Sequence, residues 1–516
     1  MKRKTLFAIF LFFSSAYLVT FRGHYGSDQF FSYLTAESLV LDRSFEIGVR
    51  SFTVPDIQPG EIEHAPIGMD GKRYTLYSLA LPLAMAPFYL VGHLASGLFP
   101  ANLHDYITMF FVSMTNAFLT ALTCALLVRY VTRLGYSPRT AFGLALLYGF
   151  GTMAWNYAQY SFTEPLLALL FLLSLSALDN WEKAPRFTGR TSLWLGLWLG
   201  LCLLTEVYAA LIIVPAILVY VMVRLWQRRP VAKAVAVTAI AMALPQVAIV
   251  GVMLYFYWLR FGGLAAPRLS GQLSLAFIPV ALYGFIFSTG KSFFLYVPPA
   301  FLAIGGVMSF YRKQRGLSIL LAAIATLSVL FISTYVDFWH GDAAWGPRFL
   351  FHLTLIAMLP LAEVLERGLP KVKWKRAGLI GSIIASITVQ VGGILINVGS
   401  YIRMVEVNQL GDQHFVPYLS AIVGHWVLAA STVYQGLTGQ PLNVMYPTGH
   451  LDPSWQVVNT ADYTGFDLWF VHLPQYWHSP AAPWLALIGV CVLFIAAMLL
   501  FRYLWRTLRT QTRPAA

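Results

Sequence analysis

A few charged and aromatic residues in this chain have company that could do chemistry. Asp28 stands in Gly26-Ser27-Asp28-Gln29-Phe30-Phe31-Ser32-Tyr33, where Ser27 reads as the cap of a helix running to about Leu41. At a helix start the dipole favours the ionised carboxylate, the form that accepts a proton. Glu164, in Thr163-Glu164-Pro165, is a second isolated acid. Both positions also have a plain reading as helix starts, with Thr163 as a cap and Pro165 close behind Glu164. A third stretch, Trp339-His340-Gly341-Asp342-Ala343-Ala344-Trp345-Gly346-Pro347-Arg348, gathers two tryptophans, a histidine and an arginine in one short segment. A guanidinium there can clamp a phosphate bidentately, and glycines let backbone approach a ligand. Lys72, Arg73 and Tyr77, in Gly71-Lys72-Arg73-Tyr74-Thr75-Leu76-Tyr77, offer another cationic turn. His64 beside Glu63 supplies too few ligands for a metal. Gly290-Lys291-Ser292 imitates the end of a phosphate-binding loop, but the rest of that motif is missing.

The elements that must position these residues are membrane helices. The chain has 516 residues, of which 58% are hydrophobic and 11% charged. A soluble domain carries about 25% charged residues, so this composition excludes a soluble enzyme or a nucleic-acid binder in spite of a net charge of +13. Cys124, Cys202 and Cys491 all lie in apolar runs and form no metal-binding spacing.

Charge sets the topology. Met1-Lys2-Arg3-Lys4 before the run Leu6 to Phe21 reads as a signal anchor with its basic end in the cytoplasm. Six further basic clusters punctuate the later apolar runs, at 129–139, 183–190, 224–233, 312–315, 367–376 and 502–513; with the first they hold 25 of the 35 Lys and Arg. All seven share the cytoplasmic side if the run 79–99 does not cross and the run 193–226 crosses twice. The first contains Pro82, Pro87 and His93; the second carries Glu206, costly at mid-membrane, where a turn would fall. The expected fold is an all-α polytopic membrane protein of about twelve transmembrane helices, with surface-lying helices in a first outer loop over 22–106. Residues 30, 31, 33, 34 and 39–41 would lay the Asp28 helix on the membrane. Residues 1–398 form the main membrane module, 399–480 an outer loop or small cap, and 481–516 the last transmembrane helix with a basic cytoplasmic tail. Asp28, Lys72, Arg73, Tyr77, Glu164, Trp339, His340, Trp345 and Arg348 then share the outer face, which points to chemistry on a lipid-linked phosphate.

On these residues the chain resembles the GT-C membrane glycosyltransferases, in the protein O-mannosyltransferase and aminoarabinose-transferase branch. The resemblance lies in Ser27-Asp28 through Ser38-Leu39-Val40-Leu41-Asp42, Gly71-Lys72-Arg73-Tyr74 through Pro82-Leu83, and Thr163-Glu164-Pro165-Leu166. It continues in Trp339-His340-Gly341 with Trp345-Gly346-Pro347-Arg348, and in Phe287-Ser288-Thr289-Gly290-Lys291 leading to Pro298. It covers roughly residues 1–370. It implies an inverting transfer of a sugar from a polyprenyl-phosphate donor to a hydroxyl of a lipid, glycan or protein acceptor, on the extracytoplasmic side of a bacterial inner membrane. Asp28 and Glu164 are the implied catalytic residues, and Lys72, Arg73, Tyr77, Trp339, His340, Trp345 and Arg348 the implied substrate contacts. No metal ligand is assigned. Many members carry an Asp-Glu pair where this chain has Asp28-Gln29; a divalent cation is the one cofactor candidate, with Glu164 able to help hold it. The competing class is a lipid-linked-sugar flippase or transporter, which calls for ionisable residues along a path through the whole membrane.

Overall fold

The computed structural model describes residues 1–22, 27–47, 65–184, 189–264, 273–336, 338–341, 344–448 and 454–510, without the side chains of residues 27–29, 208 and 510. The Asp28 side chain, His64, Arg186, Asp342 and Arg513 therefore lie outside the described residues. The described chain is helical apart from one antiparallel hairpin, Asn443–Thr448 with Ser454–Asn459, paired from Asn443↔Asn459 to Thr448↔Ser454.

Eight of the described helices are long and apolar enough to cross a membrane. Two of these, Ala232–Phe261 and Ala482–Thr510, leave Ile240, Leu244, Val247, Leu487, Ile488 and Val492 exposed along their length. Apolar surface of that extent is stable only against lipid, and helices satisfy their own backbone groups there. The chain is a multi-pass membrane protein.

The helices run between two chemically distinct ends. At one end the basic clusters are tied together by the few acids among them. Arg133 and Lys183 both pair with Asp179, at 2.5 and 2.9 Å. Arg224 pairs with Glu182 at 2.6 Å, and Arg228 donates to the Glu182 carbonyl. Lys313 pairs with Glu363 at 2.8 Å, while Ser137, which also caps the helix Pro138–Gly151, donates to Glu366. Basic residues from four separate helices thus meet on one face.

These contacts also fix the path of the long apolar run at 193–226. It is two helices, Gly189–Thr205 and Val207–Arg228, separated by Glu206 in an extended conformation. Glu206 meets Thr163 at the start of the helix Glu164–Lys183, whereas Arg228 meets Glu182 at that helix's far end. The chain therefore reverses at Glu206.

The opposite end carries the first loop and the late segment. Residues 65–77 dock on the end of the Ala232–Phe261 helix: Met69 N–H donates to the Leu259 carbonyl, and the buried Arg260 donates to the carbonyls of Thr75 and Tyr77. The helix described as Ser27–Leu41 ends where the sequence places it, and the expected Ser27 cap lies outside the described residues. Four of the apolar residues expected to face lipid do not: Phe30, Phe31, Tyr33 and Leu34 are buried against Leu81, Met85 and Tyr89 of the helix Ala80–Ser96, while Leu41 stays exposed. Protein-protein packing here satisfies the aromatic cluster that sequence reasoning assigned to the membrane surface. The late segment has its own core of Tyr401, Met404, Leu419, Leu428, Tyr446 and Val458, from helices Val398–Val407 and Ala421–Thr438 and the hairpin. It is fastened to the chain just beyond the first helix, Arg3–Val19, by a buried ion pair, Arg22–Asp467 at 2.9 Å, with Arg22 also donating to the Gly393 carbonyl.

Candidate functional site

The site is built on three chain breaks at the end opposite the basic clusters. The first is the turn 158–163. Asn116, buried in a neighbouring helix, donates its amide to the carbonyls of Tyr160 and Phe162 and fixes that turn. Glu164 follows as the first helical residue, with Pro165 behind it, where the missing proline N–H costs nothing. Thr163 does not cap this helix. Its hydroxyl instead donates to Glu206 Oε2 at 2.6 Å, binding the second break to the first.

The third break is the segment ending at Arg348. Its conformation is set from beneath by Lys291, whose buried ammonium donates to the carbonyls of Ala344 (3.0 Å) and Gly346 (3.3 Å). Gly341 and Gly346 both have φ near +70°, and a Cβ on either would meet Arg348 Cβ or the Tyr296 ring at 2.8 Å. These glycines permit close approach within the protein, a use different from the ligand contact suggested by sequence. Trp345 is buried against Tyr296 and His425, its indole N–H donates to Gln390, and its carbonyl accepts from Tyr157. It anchors the segment.

Arg348 emerges from this scaffold toward Glu164, with Nε 3.5 Å from Oε1 and both side chains almost wholly buried. Phe162 and Phe349 flank the guanidinium at 4.8 and 5.1 Å, a geometry that adds cation–π attraction. Glu164, Glu206, Arg348 and His352 line one small cavity of about 10 Å³, room for about one water, with Leu167, Ala209, Phe349 and Phe351. His352 meets Ser328 at 3.0 Å. The cavity thus holds two carboxylates and one guanidinium at low dielectric, where each charge acts strongly on its neighbours.

The remaining sequence candidates are spread around this centre. Lys72 pairs with Glu46 at 2.9 Å in an exposed position, and Arg73 donates to the Ala65 carbonyl. Tyr77 is half-buried, its carbonyl held by Arg260. Asp70 accepts from the Tyr74 hydroxyl, and that bond holds its carboxyl below the usual range. Trp339 packs edge-on to Phe285 and over Gly284, and His340 stacks on His414 with ring centroids 4.2 Å apart. The structure brings Glu164 together with Arg348, and Trp339 with His340. Glu206 and Lys291 were not among the sequence candidates for the site. Glu206 had been read only as a turn marker, and Lys291 only as a failed phosphate-loop motif. The signal for both was a lone charge inside an apolar stretch.

The described residues of this site offer few ligands for a divalent cation, and the Asp28 side chain lies outside them. Among the described residues no three His, Cys, Asp or Glu side chains gather, and the Glu164 carboxylate already faces a guanidinium.

No family model and no curated protein matches the chain. Among solved structures it is similar to ArnT from Cupriavidus metallidurans bound to undecaprenyl phosphate, at 15% identity and a TM-score of 0.46, over 84% of this chain and 71% of that one. The apo state of the same protein aligns at 13% identity and a TM-score of 0.44, over 96% and 76%. The archaeal oligosaccharyltransferase AglB from Archaeoglobus fulgidus, in complex with an inhibitory peptide and a dolichol-phosphate, aligns at 12% identity and a TM-score of 0.45, over 74% and 54%.

Proposed function

We propose that this chain is an inverting membrane glycosyltransferase that moves a sugar from a polyprenyl-phosphate carrier to an acceptor hydroxyl, at the face opposite its basic end. That face is the extracytoplasmic side, and the membrane a bacterial inner membrane. The observation that carries the reading is the cavity shared by Glu164, Glu206 and Arg348: among the described residues, these chemically active charges collect at one end of the helices, whereas a transport path needs them along its length.

The chemistry is a single displacement. The acceptor oxygen forms a bond to the anomeric carbon as the carbon–oxygen bond to the phosphate breaks, and that electron pair leaves with the lipid phosphate. The acceptor proton passes to the Asp28 carboxylate. A phosphate leaving group is already a stable anion, so no protonating acid is required, and one carboxylate suffices where a glycoside hydrolase needs two. Arg348 meets the charge that grows on the phosphate oxygens. Glu164 holds the guanidinium in place, and Lys72 and Arg73 supply positive potential on the same face. Tyr77, Trp339 and His340 sit on the outer segments where a sugar and its carrier would rest.

Replacing Asp28 by Asn tests the base. The variant is expected to insert and fold but to lose transfer of label from a polyprenyl-phosphate sugar. Retained transfer overturns the assignment of Asp28.

A further inference from the structure

A second feature has its polar mouth at the opposite end of the helices from this cavity. The helices Val207–Arg228 and Arg315–Ile332 run antiparallel and leave a groove of about 980 Å³ between them, open toward the lipid. From Leu211 to Arg224 it follows 14 helical residues, whose 13 steps of 1.5 Å span about 20 Å. Its walls are apolar, with Val219, Ile319 and Leu327 about half exposed.

Polarity is confined to one end. Arg224, Gln227 and Arg315 line the mouth at the basic face. Gly316 gives the guanidinium room: a Cβ there would stand 2.6 Å from Arg224 Nη2, so a larger residue would push the guanidinium off the first turn beside Arg315. Arg224 uses three of its five N–H groups, on Tyr220, Gln227 and Glu182. Arg315 is exposed over the Tyr311 ring, and among the described residues no carboxylate pairs with it.

We infer that this groove binds one anionic phospholipid of the basic-side leaflet, with its phosphate between Arg315 and Arg224 and an acyl chain along the apolar walls. Charge complementarity selects the occupant. A cationic mouth at headgroup depth above an apolar channel fits a phosphate-bearing lipid, and juxtamembrane cations attract anionic lipid. The inference is independent of the transfer reading, because no residue that lines the groove also lines the Glu164–Arg348 cavity.

The test is thermal unfolding of the full chain in detergent, titrated with phosphatidylglycerol or with phosphatidylcholine of the same acyl composition. Phosphatidylglycerol should raise the midpoint by on the order of 2 °C more than phosphatidylcholine, as ligand linkage requires. Arg315→Gln should erase that difference. Ala323→Trp, which fills the exposed groove wall, should erase stabilisation by both lipids. Equal shifts from the two lipids, a preference that survives Arg315→Gln, or the same shift from glycerol phosphate alone would each overturn the proposal.

Discussion

The Glu164 carboxylate and the Arg348 guanidinium meet at 3.5 Å, with side-chain exposures of 7% and 11%. Neither charge is tolerable there alone, so each explains the presence of the other. Breaking a buried pair by removing one partner typically costs about 3–5 kcal/mol, because the survivor is left uncompensated. Glu164→Ala and Arg348→Ala should each lower the thermal midpoint and abolish transfer. The double variant should be more stable than the sum of the two losses predicts, and a double-mutant cycle by thermal unfolding measures that coupling.

Glu206 and Thr163 hold two helix breaks together at 2.6 Å. Thr163→Val removes the donor while keeping the shape. A hydrogen bond to a charged acceptor contributes about 1.5–3 kcal/mol, so stability should fall by about that amount. Glu206→Gln keeps an acceptor and should lose less, a ranking that denaturant or thermal melts can read.

Lys291 carries the carbonyls of Ala344 and Gly346 on its ammonium. Lys291→Met leaves them buried without that donor, at a cost of about 1–3 kcal/mol. Because this segment delivers Arg348, transfer should fall by at least tenfold, through kcat more than through the KM for the acceptor. An unchanged kcat would separate Lys291 from the positioning of Arg348.

His425 gives the late segment a pH dependence. Burial against Trp345 and Tyr401 pushes its imidazole down to about 3, from an ordinary value of 6.5. The folded state therefore holds it neutral while the unfolded state takes up a proton below 6.5. The stability it contributes is complete above pH 6.5 and falls by about 1.4 kcal/mol per pH unit as pH drops toward 3. Thermal melts between pH 7 and pH 4 should show this slope, and His425→Gln should flatten it.

The helix ending at Leu41 and the reversal at Glu206 were legible because Leu41 closes an apolar pattern and a lone acid interrupts an apolar run. Two opposed ends were legible for the same reason: clustered Lys and Arg cannot be buried in lipid. The pairing of Glu164 with Arg348 was not legible. Each residue was singled out, but contacts between distant segments depend on packing that local pattern does not encode. Phe30, Phe31, Tyr33 and Leu34 were misassigned to the membrane surface because an apolar face looks the same whether lipid or a second helix covers it. The late segment escaped because its fold rests on a small long-range core and the Arg22–Asp467 pair, neither of which leaves a periodic signature.

The central claim is that the outer cavity performs transfer. The direct measurement is the fate of a radiolabelled polyprenyl-phosphate sugar offered to sealed, oriented vesicles that contain the chain and a mixed acceptor fraction. The account predicts that label leaves the carrier and enters acceptor on the extracytoplasmic side only, and that Arg348→Ala stops it. Label that crosses the membrane still attached to its carrier, at a rate Arg348→Ala leaves unchanged, would contradict the account and identify a transporter.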